Sequence, residues 1–277
     1  MKYKIDVLVP VFNSSEELKK TLASISVSPA MNMLNVIVID NNSDENIRSI
    51  CDLYKIPIEF HRNRENIGRI PNWNRALEYV SNEWFMFLFA GDEIDASINF
   101  NEFTDLLDES SHIVFPFNLR GKKVDSYVNK WGFKEIKKNV ETCIFDLLLS
   151  CKMPWGPLQC HLFRSSKSKI KFQENNPSHG DVEFIFSALM GSKKISFFPR
   201  PNFTWIWNEK RYHNQIDLAS SATKDLQFTF EKLSLFPDSY SKFKIKMKMS
   251  IRVLMFLKHY SILNIFRAFF GIIFFRE

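Results

Sequence analysis

Residues Trp84-Phe85-Met86-Phe87-Leu88-Phe89-Ala90 form an unbroken apolar run that stops at Gly91-Asp92-Glu93-Ile94-Asp95. A strand with one solvated face alternates apolar and polar residues, so a run without alternation, bounded by glycine, reads as a fully buried central strand. Its acids then stand at the strand's carboxyl end. In open α/β sheets ligands bind at that edge, and hard cations such as Mg2+ take carboxylate and phosphate oxygens. Asp92 is therefore the first candidate metal contact. The alternative is that Asp92 and Glu93 turn the chain and cap a following helix.

What precedes the run has the same grammar. Ile5 to Phe12 reads as a first strand, and Ser14 with Glu17 three residues later as a capping box opening a helix with Leu18, Leu22 and Ile25 on its inner face. Asn35 to Asp40 is a second buried strand ending on an acid, and Asn41 to Asp44 supplies a turn before a helix toward Tyr54. Pro57 to His61 makes a third strand. Pro71, in a first turn, opens a helix to about Val80. Strand and helix in alternation imply a parallel sheet with helices on both faces and its loops gathered at one edge, which predicts that Asp40 and Asp92 share one cleft.

Composition narrows the classes. With 277 residues, 45% hydrophobic and 15% aromatic, the chain can bury a sizeable core as one large domain or a domain with an appendage. A net charge of +6 favours an anionic partner: a nucleotide, a nucleic acid or an acidic lipid surface. Cys51, Cys143, Cys151 and Cys160 have neither zinc-site spacing nor the density of a disulfide scaffold, which fits a reduced, cytoplasmic compartment. Cys160-His161, on an apolar segment, reads as core. Asp6 and Pro10 interrupt the amino-terminal apolar stretch, so it does not read as a signal peptide.

As chemistry, Asp40 is placed to accept hydrogen bonds from a base or ribose. Neither G-x-G-x-x-G nor G-x-x-x-x-G-K-[ST] occurs, which disfavours a dinucleotide cofactor and a P-loop. Gly68 permits close backbone approach, and Arg69 and Arg75 bring cations toward a diphosphate.

Val9-Pro10-Val11-Phe12-Asn13, Val38-Ile39-Asp40-Asn41-Asn42-Ser43-Asp44, Asn66-Ile67-Gly68, Asn74-Arg75-Ala76-Leu77 and the run into Gly91-Asp92 follow one another in an order that resembles family 2 nucleotide-sugar glycosyltransferases. The resemblance is close over about the first hundred residues and looser over the next hundred. It implies an inverting enzyme of the A-type glycosyltransferase fold, an α/β class with a mostly parallel, Rossmann-like sheet flanked by helices. Pro10, Val11, Phe12 and Asn13 then wall the nucleotide pocket, Asp40 reads base or ribose, and Gly68, Arg69, Asn74 and Gly91 line the nucleotide sugar. Asp92 matches the last acid of the family's metal motif for Mg2+ or Mn2+. Phe89 and Gly91 stand where the family often has acids, so that motif is depleted.

By the same resemblance Trp155, Gly156 and Pro157 form an acceptor loop before a strand from Leu158 to Arg164, and Asp181 is the catalytic base with Glu183 in reserve. Ile113 to Phe117 is expected as a strand and Leu119 to Val124 as a turn. Arg211 is expected to meet the diphosphate, and His213 the metal or a phosphate.

The tail changes character. Lys242, Lys244, Lys246, Lys248 and Arg252 alternate with apolar residues, and Ile262 to Phe275 is nearly all apolar yet shorter than a spanning helix. A helical tail lying on an anionic membrane surface fits, with a core-closing helix or a homo-oligomer contact as alternatives. The expected division is a catalytic domain over 1–215, with a nucleotide-sugar half (1–110) and an acceptor half (111–215), then a tail over 216–277. Together these expectations describe a transferase moving sugar from a UDP or dTDP sugar to a glycan or lipid-linked acceptor. Its expected setting is bacterial surface polysaccharide (O-antigen of lipopolysaccharide, or capsule), at the inner face of the inner membrane. A nucleotidyltransferase on a related sheet, or a basic nucleic-acid or membrane-binding module, is the alternative. Nucleic acid is disfavoured because the aromatics fall in buried-looking runs rather than on a basic sheet face.

Overall fold

Branched aliphatic residues fill Ile5–Val11 (β1) and Leu34–Asp40 (β2), and their stiff side chains suit extended backbone buried on both faces. The computed structural model describes residues 3–96, 98–120, 157–165, 170–174, 180–198, 200 and 202–206. In chain order β1 and β2 are joined by Ser15–Ser26 (α1). Ile47–Cys51 (α2), Ile58–Arg62 (β3), Arg69–Leu77 (α3), Trp84–Phe87 (β4) and Glu93–Ile94 (β5) follow. Then come Thr104–Glu109 (α4), His112–Val114 (β6), Asn118–Arg120 (β7), His161–Arg164 (β8), Gly180–Met190 (α5), Ile195–Phe197 (β9) and Phe203–Ile206 (β10). The described residues all belong to one compact unit. The tail, and with it the expected boundary at 215, lies outside them.

Among the described residues the main sheet has the order β3-β2-β1-β4-β8-β6-β9. β3, β2, β1 and β4 run parallel, with Val11 opposite Asp40 and Leu8 opposite Phe87, so their carboxyl ends gather at one edge as expected. β8 is antiparallel to both β4 and β6, and β6 and β9 are parallel. Pro10 is tolerated in central β1 because its missing N–H falls two positions past Leu8, the last residue paired with β4. A second sheet, β5-β10-β7, was not foreseen. Residues 119 and 120, expected in a turn, instead complete β7.

Alternation along the strands divides the core. Val7, Val9, Val36, Val38, Met86 and Leu88 pack with Leu18, Leu22 and Ile25 of α1 and with Ile47 and Ile50 of α2. The opposite face is aromatic. Phe87 meets Trp73 of α3 at 6.5 Å and Phe184 of α5 at 6.4 Å between ring centroids, and Phe184 stacks on Phe172 at 4.1 Å. Helices therefore cover both faces. The capping box does not form: Ser14 Oγ donates to the carbonyl of Phe12, and the Ser15 N–H is taken by Glu45, 30 residues on.

Cys160 and His161 are core, as the apolar segment implied. His161 and His112 are buried side by side on β8 and β6, with ring nitrogens 2.8 Å apart. Burial, and then the neighbouring His161, hold the pKa of His112 well below 6.5. Its unfolded counterpart takes up a proton below that pH and the folded ring does not, so stability present above pH 6.5 is lost as pH falls. Urea unfolding at about pH 5.5 and about pH 7.5 should show wild type losing more stability than His112→Asn on going to the lower pH. Parallel pH slopes in the two proteins would count against this assignment.

Candidate active site

Three loops leave the carboxyl edge of β1, β2 and β3 and are tied to one another. Asn13, at φ 45°, donates its main-chain N–H to Ser43 Oγ (2.9 Å) and its carboxamide to Asp44 Oδ2 (3.0 Å), and it accepts from the Asp44 N–H at 2.9 Å. Phe12 beside it is 43% exposed. Asp40 has no exposed surface: Oδ1 accepts from the Ser43 N–H at 2.9 Å and Oδ2 from Arg62 Nη1 at 2.6 Å. Arg62 Nη2 donates further to Asn42 Oδ1 and the Ser43 carbonyl. Asp40 is thus on the predicted edge, but a cation from β3 covers it.

Carboxamides brace the next loop. Asn41 Oδ1 accepts from Asn63 Nδ2 and from the Ile67 N–H, while Asn41 Nδ2 donates to Asn66 Oδ1 at 2.7 Å and to the Gly68 carbonyl at 3.2 Å. Asn63 also donates to buried Asn72. Gly68, at φ 89°, adopts a conformation that side chains resist, and it leads into α3. Arg69 lies over the Trp73 ring at 4.9 Å, and Trp73 stacks on Phe89 at 4.8 Å. Asn74 does not join this loop; it is buried and exchanges hydrogen bonds with the main chain of Phe172.

Beyond β4 the chain folds back over α1. Thr21 Oγ1 accepts from the Gly91 N–H at 3.0 Å and donates to the Asp92 carbonyl at 2.7 Å, fixing a turn in which Gly91 has φ 94°. The Asp92 side chain is fully buried, and its Oδ2 accepts from Gln159 Nε2 at 2.6 Å. Asn202 in turn donates to the Gln159 carbonyl, and Asn118 to Asp95. Asp92 therefore lies on the predicted edge, but like Asp40 it is sheathed by protein. Thr21, Gln159 and Arg62 are the supporting residues that sequence reasoning missed. None of them sits in a motif, and each acts on a residue far along the chain.

Among the described residues no three His, Cys, Asp or Glu side chains converge as a metal site. A single buried carboxylate with one oxygen given to Gln159 is not a donor set for Mg2+ or Mn2+, which take several oxygens. The described residues by themselves do not fit the ion. His213 and Arg211, like Trp155 and Gly156, lie outside the described residues. Pro157 is half-buried and its carbonyl accepts from the Cys160 N–H.

A methyl group on Gly180 would come within 3.3 Å of Ile70 Cδ1, so Gly180, in the first turn of α5 with Asp181 and Glu183, lies against a side chain from the first turn of α3. Asp181 and Glu183 are both half-buried there. A carboxylate so placed can orient or deprotonate a hydroxyl brought to it.

A family model described as glycosyl transferase family 2 matches residues 6–168. The poly(ribitol-phosphate) β-N-acetylglucosaminyltransferase TarP of Staphylococcus aureus is 23% identical over 79% of this chain and 67% of its own length. An uncharacterised glycosyltransferase of Mycoplasma pneumoniae is 22% identical over 88% of this chain and 85% of its own. The crystal structure of S. aureus TarS 1–349 in complex with UDP-GlcNAc superposes with a TM-score of 0.70 at 16% identity, covering 97% of this chain and 81% of that one. The mannosyltransferase PcManGT from Pyrobaculum calidifontis, in complex with GDP-Man and Mn2+, gives 0.57 at 12% identity, covering 98% and 80%. The family match spans more than half of the chain and the parallel sheet carries its loops at the expected edge, so the chain belongs to glycosyl transferase family 2 and is a glycosyltransferase of the A-type fold.

Proposed function

We propose that this protein is an inverting glycosyltransferase. It moves sugar from a UDP or dTDP sugar to a glycan or lipid-linked acceptor in bacterial surface-polysaccharide synthesis, of O-antigen or capsule type. One observation supports the reading: Gly180, at the start of α5, lies against Ile70 in the first turn of α3, and Asp181 is the next residue. Inversion needs a base on the acceptor side of the sugar, opposite the departing diphosphate, and a half-buried carboxylate on a helix anchored in the core meets that need. Phe12, Asn13 and the Gly68 turn then receive the nucleoside, with the Arg69 guanidinium beside the diphosphate. Asp92, held by Gln159, lies at the sugar and diphosphate end. A divalent ion there would draw on the donor's own phosphate oxygens and on residues outside the described ones.

Peripheral attachment at the inner face of the membrane is part of the same proposal and rests on the basic, apolar sequence of residues 242–275. Names of relatives support a surface-glycan acceptor, since TarP is described as acting on poly(ribitol phosphate); a cholesterol galactosyltransferase of Borreliella burgdorferi, 21% identical over 71% of this chain and 58% of its own length, points to lipid. The test is a panel of UDP, dTDP and GDP sugars against bacterial membrane-lipid extract, with product anomers read by NMR. Transfer from a UDP or dTDP sugar with inversion is the expected result. Retention of configuration, or turnover confined to GDP sugars, would overturn it.

A further inference from the structure

The loops after β1, β2 and β3 converge on residues 41–43. Asn13 reaches Ser43 Oγ through its main-chain N–H, Ile67 reaches Asn41 Oδ1 in the same way, and Arg62 reaches the Ser43 carbonyl and Asn42 Oδ1. Phe12, next to Asn13, and Ile67, whose N–H is bonded to Asn41, are both exposed apolar side chains. Exposed apolar surface beside these polar groups suits a flat heterocycle. The Asp40 carboxylate has no exposed surface and has both oxygens bonded, whereas Arg62, which covers it, is 42% exposed.

A guanidinium has five N–H donors and no acceptor. Arg62 gives one to Asp40, one to Asn42 and one to Ser43, which fixes its plane and leaves the Nε hydrogen and the second Nη1 hydrogen. We infer that Arg62 is the base-reading residue of this enzyme, and that Asp40 serves as its anchor rather than as the reader. A fixed, donor-only group suits the carbonyl oxygens of a base, of which uracil and thymine present two, better than adenine, whose acceptors are ring nitrogens alone. The inference rests on the nucleotide-sugar reading of the site and assigns its selectivity to one side chain.

The experiment is calorimetric titration of UDP and ADP, with Mg2+ in the buffer, into wild type, Arg62→Met and Arg62→Lys, with melting temperatures recorded alongside. Wild type is expected to prefer UDP by about tenfold or more, the usual worth of a hydrogen bond from a charged donor. Arg62→Met should weaken UDP by about that factor and leave ADP within about threefold, so that the ratio collapses. Arg62→Lys keeps a cation against buried Asp40 and so protects the fold, but its ammonium lacks the fixed, planar donors of the guanidinium, and the UDP preference should fall here too. An unchanged UDP-to-ADP ratio in both variants, whether or not absolute affinity drops, would show that Arg62 only braces the loop. Wild type binding neither nucleotide would overturn the nucleotide-sugar reading as well.

Discussion

Asp6→Ala is expected to lower the unfolding free energy by about 3 kcal/mol, a large share of the stability of an ordinary domain. Asp6 looks like an interruption in an apolar strand, and it is completely buried. Its Oδ1 accepts from Asn35 Nδ2 at 2.8 Å and Asn82 Nδ2 at 2.6 Å, and its Oδ2 from the N–H groups of Ser81 at 2.8 Å and Asn82 at 2.7 Å. One carboxylate thereby joins β1, the start of β2 and the turn that feeds β4. Hydrogen bonds to a charged acceptor contribute about 1.5–3 kcal/mol each, but the Ser81 turn is partly exposed and water will replace some of them, which sets the net well below the sum. Asp6→Asn should fall between, because a carboxamide would turn its own donors toward donors. Urea unfolding of the three proteins decides the matter. A loss under about 1 kcal/mol in Asp6→Ala would mean that the turn is held by packing alone.

Asp6 also shows where sequence reading stops. The apolar runs of β1, β2 and β4, the glycine at 68 and the strand-end acids are local signals, because burial on both faces removes alternation and a turn must be punctuated. The partners that decide what those acids do are not local. Asp40 is legible as a strand-end acid, but Arg62, which covers it, lies 22 residues on; Asp92 is legible too, and Gln159, which holds it, is 67 residues away. Ser14 and Glu17 satisfy the capping pattern, yet Glu45 from another loop takes the Ser15 N–H, because the β1 and β2 loops are held together by Asn13 and Asp44. Strands of two or three residues such as β5 and β7 carry too few positions to show a period, whereas Thr204-Trp205-Ile206 alternates and is found in β10. The antiparallel insertion of β8 between β4 and β6 has no signature short of the full pairing.

The reaction itself separates the acids. Asp181→Asn is expected to reduce kcat by about a hundredfold or more, since a lost general base withdraws help needed only as the acceptor hydroxyl attacks, and donor affinity should stay within about threefold. Its helix gives the comparison meaning. α5 is anchored by Phe184, whose ring lies 5.3 Å from Phe163 and 4.1 Å from Phe172, so an isosteric change at Asp181 leaves the backbone in place. Were Asp181 there only to favour the helix amino terminus, its loss would cost about 0.3–1 kcal/mol of stability and lower the melting temperature without touching kcat. Glu183→Gln, two residues along the same turn, is the internal control and should retain activity within about threefold. If Asp92 helps hold a cation as proposed, Asp92→Asn should behave in a third way, weakening donor binding together with turnover, because the ion would act on ground state and transition state alike. Kinetics with saturating and limiting donor, beside calorimetric donor affinities, distinguish the three. If Glu183→Gln is the inactive protein and Asp181→Asn the active one, the base lies at Glu183; if both turn over normally, the base is not on α5, and the Gly180–Ile70 contact only closes the core.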